Sequence, residues 1–242
     1  MPVNRADIIH RLQKDILSLQ GIKSFAANEV PDFGLGPVES AFPNNCFPVA
    51  ATHEFLSDGP EHAAAATGFI ACLTSTLMRK GGASVWISSG GSIFPPALKS
   101  FGIEPDKIIF IDLKNEKDSL WVMEEVLKCN GIAAVIGEIR DLDFTASRRF
   151  QLAVEQSGVT GFIIRNNPRY ITINACVSRW RISPLASEPE NGVPGVGFPR
   201  WNVELSKIRN GKPGAWQIEW SAGCFHIITP SLQFREKQRK VV

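Results

Sequence analysis

The chain has 242 residues, with 26 Lys and Arg against 24 Asp and Glu, so its formal net charge is only +2. Hydrophobic residues make up 44% and charged residues 21%, ordinary proportions for one folded domain, and the length suits a single well-buried α/β core better than two full domains. This balance argues against a dedicated, sequence-independent nucleic-acid binder. No run approaches the roughly 18 apolar residues of a membrane span. The first residues lack the apolar stretch of a secretory signal, so a cytoplasmic location is the default expectation. Cys46, Cys72, Cys129, Cys176 and Cys224 are scattered with no CxxC pair, which predicts reduced thiols and neither a disulfide framework nor a metal site.

Residues 4–20 read as an amphipathic helix: Ile8, Leu12, Ile16 and Leu19 recur at helical spacing, Asn4 offers an N-cap and Gly21 a stop. Residues 21–50, irregular and rich in Pro, Gly and Asn, read as a connector laid over a core, which closes an N-terminal unit at residue 50. A regular alternation follows. Strand 52–56 leads through a glycine turn at Gly59 to a helix over 62–80, stopped by Gly81 and Gly82. Next come strand 83–89, a helix opened by Pro95 and Pro96 and ended near Gly102, strand 107–111 and a helix over 115–129. A nearly all-apolar strand at 132–139, a helix over 144–157 and strand 160–165 complete the series. Strands alternating with helices predict an α/β fold: a mostly parallel sheet flanked by helices on both faces.

Beyond residue 168 the apolar period becomes two. Segments 176–182, 201–208 and 216–220 read as antiparallel strands that extend the sheet, with a Pro- and Gly-rich loop at 183–199. The core thus spans 51–222, and 223–242 is left as a C-terminal tail with Arg235, Lys237, Arg239 and Lys240 against Glu236.

The strand–turn–helix at 52–80 is where an α/β NTPase would hold its nucleotide. A working phosphate loop has the form GxxxxGK[ST]: backbone N–H groups wrap the phosphates, the lysine balances their charge and the hydroxyl holds magnesium. This chain reads Gly59, Pro60, Glu61, His62 and then four alanines, so Ala64 stands for the second glycine, Ala65 for the lysine and Ala66 for the hydroxyl. Thr67 offers a hydroxyl one position late. A helix N-terminus still attracts anions, but it does not replace the lost cation, and phosphoryl transfer rests on positioning and charge neutralisation. Taken alone, 59–67 is either an altered phosphate loop or an ordinary strand-to-helix turn.

The rest of the chain bears on that choice. Gly59-Pro60-Glu61, after HisGluPheLeu (53–56), resembles the opening of the RecA phosphate loop, and 85–111 is similar to the second and third RecA strands with the helix between them. Where the resemblance places the acid that polarises water, this chain has Ser88-Ser89-Gly90; near the metal-side acid it has Glu138. Residues 202–218 resemble the closing hairpin of the RecA core. TrpIleSerSer (86–89), IlePheProProAlaLeu (93–98), PheGlyIleGluProAsp (101–106), PheThrAlaSerArgArg (144–149), AlaValGluGlnSer (153–157) and GlyValGlyPheProArgTrp (195–201) together resemble the ImuA-type error-prone repair proteins of the SulA/RecA-like family.

The resemblance implies a RecA-like core and a role in damage-induced mutagenesis and translesion synthesis. It implies an accessory protein assembling with a Y-family-type (ImuB-like) polymerase subunit, with DNA as a candidate contact and RecA-type self-association as a further expectation; the departures at Ala65, Ala66 and Ser88 to Gly90 lead to the expectation of no catalysis and no cofactor. Two alternatives stay open: a divergent NTPase using Thr67, Glu61 or Glu138, and a SulA-like inhibitor of another protein.

The candidate DNA or partner contacts are Arg148 and Arg149 on one helix, Arg165 and Arg169 at a strand's carboxyl end, Arg179 and Arg181 alternating with Trp180, and the tail cations Arg235, Lys237, Arg239 and Lys240. Each has a plain structural alternative: a solvated helix face, a half-buried strand, or a frayed end. Trp201, Trp216 and Trp220 on the late strands are candidates to cover a sheet face or a partner groove.

Overall fold

The computed structural model describes residues 31–90, 93–189 and 196–232. The helix expected over 4–20 and the tail cations Arg235, Lys237, Arg239 and Lys240 lie outside the described residues. Among the described residues, one sheet of nine strands organises the fold, in the order β3-β2-β4-β5-β1-β6-β7-β8-β9. The parallel part comprises β1 (Thr52–Ser57), β2 (Ala83–Ser88), β3 (Ile108–Asp112), β4 (Ile132–Glu138) and β5 (Thr160–Asn166). The antiparallel part comprises β6 (Ser178–Leu185), β7 (Arg200–Ile208), β8 (Gly214–Ser221) and β9 (Cys224–Leu232).

Parallel strands need crossovers, and right-handed crossovers fix the face each one covers. Connections running toward the β3 edge lie on one face: α1 (Pro60–Met78) from β1 to β2, and a 3-10 helix (Pro95–Phe101) from β2 to β3. Connections running back lie on the other: α2 (Glu116–Leu127) from β3 to β4, and α3 (Phe144–Ser157) from β4 to β5. Two apolar cores result. Phe69, Ile70 and Leu73 of α1 pack with Phe55, Ile136, Trp180 and Val203 on one face. Met123 and Leu127 of α2 and Phe150 and Val154 of α3 pack with Val85, Val135 and Ile163 on the other. Asn115 caps α2 by accepting from the Lys117 N–H, and Asp143 caps α3 by accepting from Ala146 N–H at 2.6 Å.

Three differences from the sequence reading have local causes. The segment opened by Pro95 and Pro96 is a seven-residue 3-10 turn closed by left-handed Gly102, too short between proline and glycine for a full α-helix. Strand β6, expected to be antiparallel, pairs parallel with β1 (His53 opposite Ser178) and antiparallel with β7, so it is the hinge between the two kinds of sheet. Residues 224–232, inside the expected tail, form β9 on β8 through a turn with positive φ at Ala222 and Gly223. The tryptophans of the late strands point inward: Trp201, Trp216 and Trp220 are all buried in the α1-side core, not on an open face. No described helix is long and apolar enough to cross a membrane.

Candidate functional site: the cleft at the carboxyl ends of the strands

Above the carboxyl ends of β4 and β5, the start of α1 and the Pro95–Phe101 turn enclose a cleft of about 520 Å³. Its floor carries Glu138, Ile164 and Asn166; its walls include Ala64, Thr67 and Phe101. Open α/β sheets place ligands at this end of their strands. Among the described residues that line it, Glu138 is the one titratable group, and there is no Lys or Arg.

The expected phosphate loop is not a loop. Helix α1 begins at Pro60, directly after Gly59, whose backbone is extended (φ −179°). Proline preset for the first helical turn and a run of alanines, the best helix formers, draw residues 60–66 into the helix. Their N–H groups are thereby spent along the helix axis: Ala63 N–H donates to Gly59 O at 2.9 Å, and Pro60 has none to give. Only the Glu61 and His62 N–H groups stay open at the helix start, and Glu61 bends its own carboxylate back over Gly59. The positions of the missing lysine and hydroxyl turn away from the cleft: Ala65 is 5% exposed and Ala66 0%, both in the apolar core. Thr67 faces the cleft.

The neighbouring strand ends hold acids in different states of engagement. Glu138 Oε1 accepts from the buried Trp86 indole N–H at 3.2 Å. At the Ser88-Ser89-Gly90 corner the sequence offers no carboxylate, but the structure supplies one from the next strand: Asp112 pairs in register with Ser88 and accepts from Gly90 N–H at 2.8 Å.

The expected arginine contacts divide by face. Arg165 is 1% exposed and donates from Nη1 to Glu54 Oε1 at 2.7 Å, from Nε to the Arg140 carbonyl and from Nη2 to the Tyr170 carbonyl. Arg179 takes the other Glu54 oxygen and the Thr172 carbonyl. Glu54 is wholly buried at the centre of the sheet, so its charge must be met inside the protein. Arg165 is therefore a buried structural residue, a correction to its expected place on a contact surface. Arg181 pairs with Asp58 across β1 and β6. Lys207 and Arg209, outside the earlier list, donate to the carbonyls of Asn174, Cys176 and Ala175, and burial pulls the pKa of both down. Arg148 and Arg149 remain exposed on α3, with Arg149 3.4 Å from Glu124 of α2; Arg169 is exposed, 3.7 Å from Asp141.

On the opposite face of β1, a polar chain threads the aromatic core. Trp180 Nε1–H donates to Ser178 Oγ, the Ser178 hydroxyl donates to His53 Nδ1 at 2.6 Å, and His53 Nε2–H donates to Pro48 O at 2.8 Å. Every polar atom is matched only if His53 is neutral, and desolvation accordingly lowers its pKa to about 4. The group is buried between Phe47 and Phe162 and has no route to a substrate.

No protein-family profile matches the chain. Protein ImuA of Caulobacter vibrioides strain NA1000 / CB15N is 35% identical over 202 residues, covering 78% of this chain and 83% of that protein. The ImuA of strain ATCC 19089 / CIP 103742 / CB 15 gives the same figures. The crystal structure of the RadB recombinase superposes with a TM-score of 0.55 at 12% identity, covering 81% of this chain and 98% of that one. The structural likeness establishes a RecA-like fold, and the sequence identity, sustained over most of both chains, establishes the lineage: the chain belongs to the ImuA family.

Proposed function

We propose that this chain is a non-catalytic, RecA-like accessory protein of damage-induced mutagenesis, which assembles with a Y-family-type, ImuB-like polymerase subunit in translesion synthesis and touches DNA as part of that assembly. Membership of the ImuA family supports the pathway. One observation supports the absence of catalysis: α1 starts at Pro60, so the nucleotide position has no phosphate-wrapping loop and, among the described residues, no lining cation. A triphosphate brought there would meet the Glu138 carboxylate, with Glu61 close by over Gly59, without the charge neutralisation that phosphoryl transfer needs.

A divergent NTPase has one observation in its favour, since Thr67 and Glu138 line the same cleft as a hydroxyl and an acid. Two measurements separate the readings. The full chain incubated with Mg-ATP is expected to release phosphate no faster than a blank, and to co-purify with the polymerase subunit when the two are co-expressed. Phosphate release well above the blank, abolished by Glu138→Gln, overturns the non-catalytic reading. Failure to co-purify overturns the accessory role and turns attention to the inhibitor alternative.

A further inference from the structure

The cleft is unsuited to an anion, yet it is neither closed nor uniformly apolar. On its floor the side chains of Glu138 on β4 and Asn166 on β5 face the α1 side of the sheet, as does Ser57 on the adjoining β1, opposite Asn166 in register. Asn166 Oδ1 and Ser57 Oγ are buried and have no hydrogen-bond partner among the described residues. Buried oxygens without partners are costly, and native proteins keep few of them. Here Asn166 lines an open cleft in which, among the described lining residues, the one titratable group is an acid, and Ser57 lies beside it in register just behind that lining. Such a floor asks for a donor with positive charge.

The walls have a different character. Ile93, Phe94, Ala97, Leu98 and Phe101 line one side, and Phe94 at the mouth is 70% exposed. Apolar walls suit the methylene stem of a long basic side chain, and aromatic rings attract its charged head as it passes. The exposed Phe94 extends the apolar surface beyond what a lone stem would cover, which calls for neighbouring apolar residues on the same ligand.

We propose that this cleft receives an arginine or lysine side chain of a partner polypeptide, flanked there by apolar residues, with the cationic head over Glu138 and Asn166. The site that holds a nucleotide's negative charge in a working phosphate-loop protein would then serve as a socket for positive charge. The inference rests on the reading that no triphosphate occupies the cleft, and it adds the chemistry of the occupant.

The test uses the full chain and three probes: a blocked peptide with one arginine between leucine and phenylalanine, the same peptide with glutamate in place of arginine, and agmatine. Binding is followed by calorimetry. The arginine peptide is expected to bind at least tenfold more tightly than the glutamate peptide and than agmatine. Glu138→Gln should weaken it at least tenfold. So should Ala64→Lys, which sets a cation on an exposed cleft-wall position without touching the core. Equal binding of both peptides, indifference to both substitutions, or no binding at millimolar peptide overturns the proposal. Agmatine binding as tightly as the peptide overturns the polypeptide source. Mg-ATP titrated into the same samples separates the two failures: a chain that binds neither ATP nor peptide loses this inference alone, whereas one that binds and turns over ATP loses the non-catalytic reading as well.

Discussion

Two glutamates mark the two faces of the central strands, and they have opposite surroundings. Glu54, on the α2–α3 side of β1, is fully buried and held by Arg165 and Arg179. Glu138, on the α1 side of β4, borders an open cleft whose described lining has no cation. A protein that works on triphosphates needs its positive charge on the cleft side. This chain has placed guanidinium groups behind the sheet, where they join β5 and β6 to β1 and serve architecture.

Breaking the first half of that contrast should give the largest effect. Glu54→Gln leaves two guanidinium groups with no counter-charge, one of them wholly buried, and removing one partner of a buried ionic cluster costs about 3–5 kcal/mol. Urea unfolding should show that loss as a lower midpoint with an unchanged slope. If Arg165 served a surface contact instead, the substitution would barely move the midpoint. The next largest effect is expected from pH, on the opposite face of β1. Folded His53 stays neutral down to about pH 4, whereas a histidine in the unfolded chain titrates near its ordinary 6.5. Between those values the unfolded chain binds more protons than the folded one, so stability falls as pH is lowered through that window. Over the whole window the loss is about 3 kcal/mol, at ~1.4 kcal/mol per pH unit. His53→Gln should flatten the acid limb of stability against pH; an unchanged limb would assign it to other groups.

A smaller effect tests whether the cleft side can be repaired by one residue. Ala65→Lys restores the lysine by sequence position, but Ala65 packs in the apolar core beside Ala66. Overpacking there should cost about 1–3 kcal/mol and leave phosphate release at the blank. Ala64→Lys, one residue earlier and exposed, should be near neutral for stability. Equal tolerance of both, or phosphate release by the Ala65 variant, would mean that the helix start opens into a loop when a nucleotide is offered.

Much of this contrast was written locally and some of it was not. Strand and helix positions between 52 and 166 follow from hydrophobic period, glycine stops and proline starts, because those signals act over a few residues. The loss of the phosphate loop was legible as missing residue types. Its collapse into helix was legible only in part: the sequence pattern begins the helix at 62 and leaves 59–67 open, although Pro60 followed by alanines is a helix start. The partners of Glu54 lie more than a hundred residues away, at Arg165 and Arg179, and no local pattern reports such a pairing. One signal was available: an acid within a central strand of a two-sided sheet cannot face water, so some cation had to be spent on it. Asp112 at the Ser88–Gly90 corner was hidden for a related reason, because it reaches its site only through the register of β2 and β3.

The smallest expected effect concerns the arginines that the core did not take. Arg149 bridges to Glu124 across α2 and α3 at 3.4 Å, with its own side chain more than half exposed, and Arg148 is exposed beside it. In water such a pair gains little Coulomb energy and loses side-chain entropy, so Arg149→Ala should cost no more than about 1 kcal/mol, and less at high salt. Set beside Glu54→Gln, it asks whether location or charge decides what an arginine does in this fold: both substitutions break an ion pair, and only the buried one should threaten the protein. A midpoint shift for Arg149→Ala as large as that for Glu54→Gln would show that the outer face of α3 is packed against something in solution. A negligible shift would leave Arg148 and Arg149 as cations free to meet phosphate or an acidic partner, which the buried arginines are not.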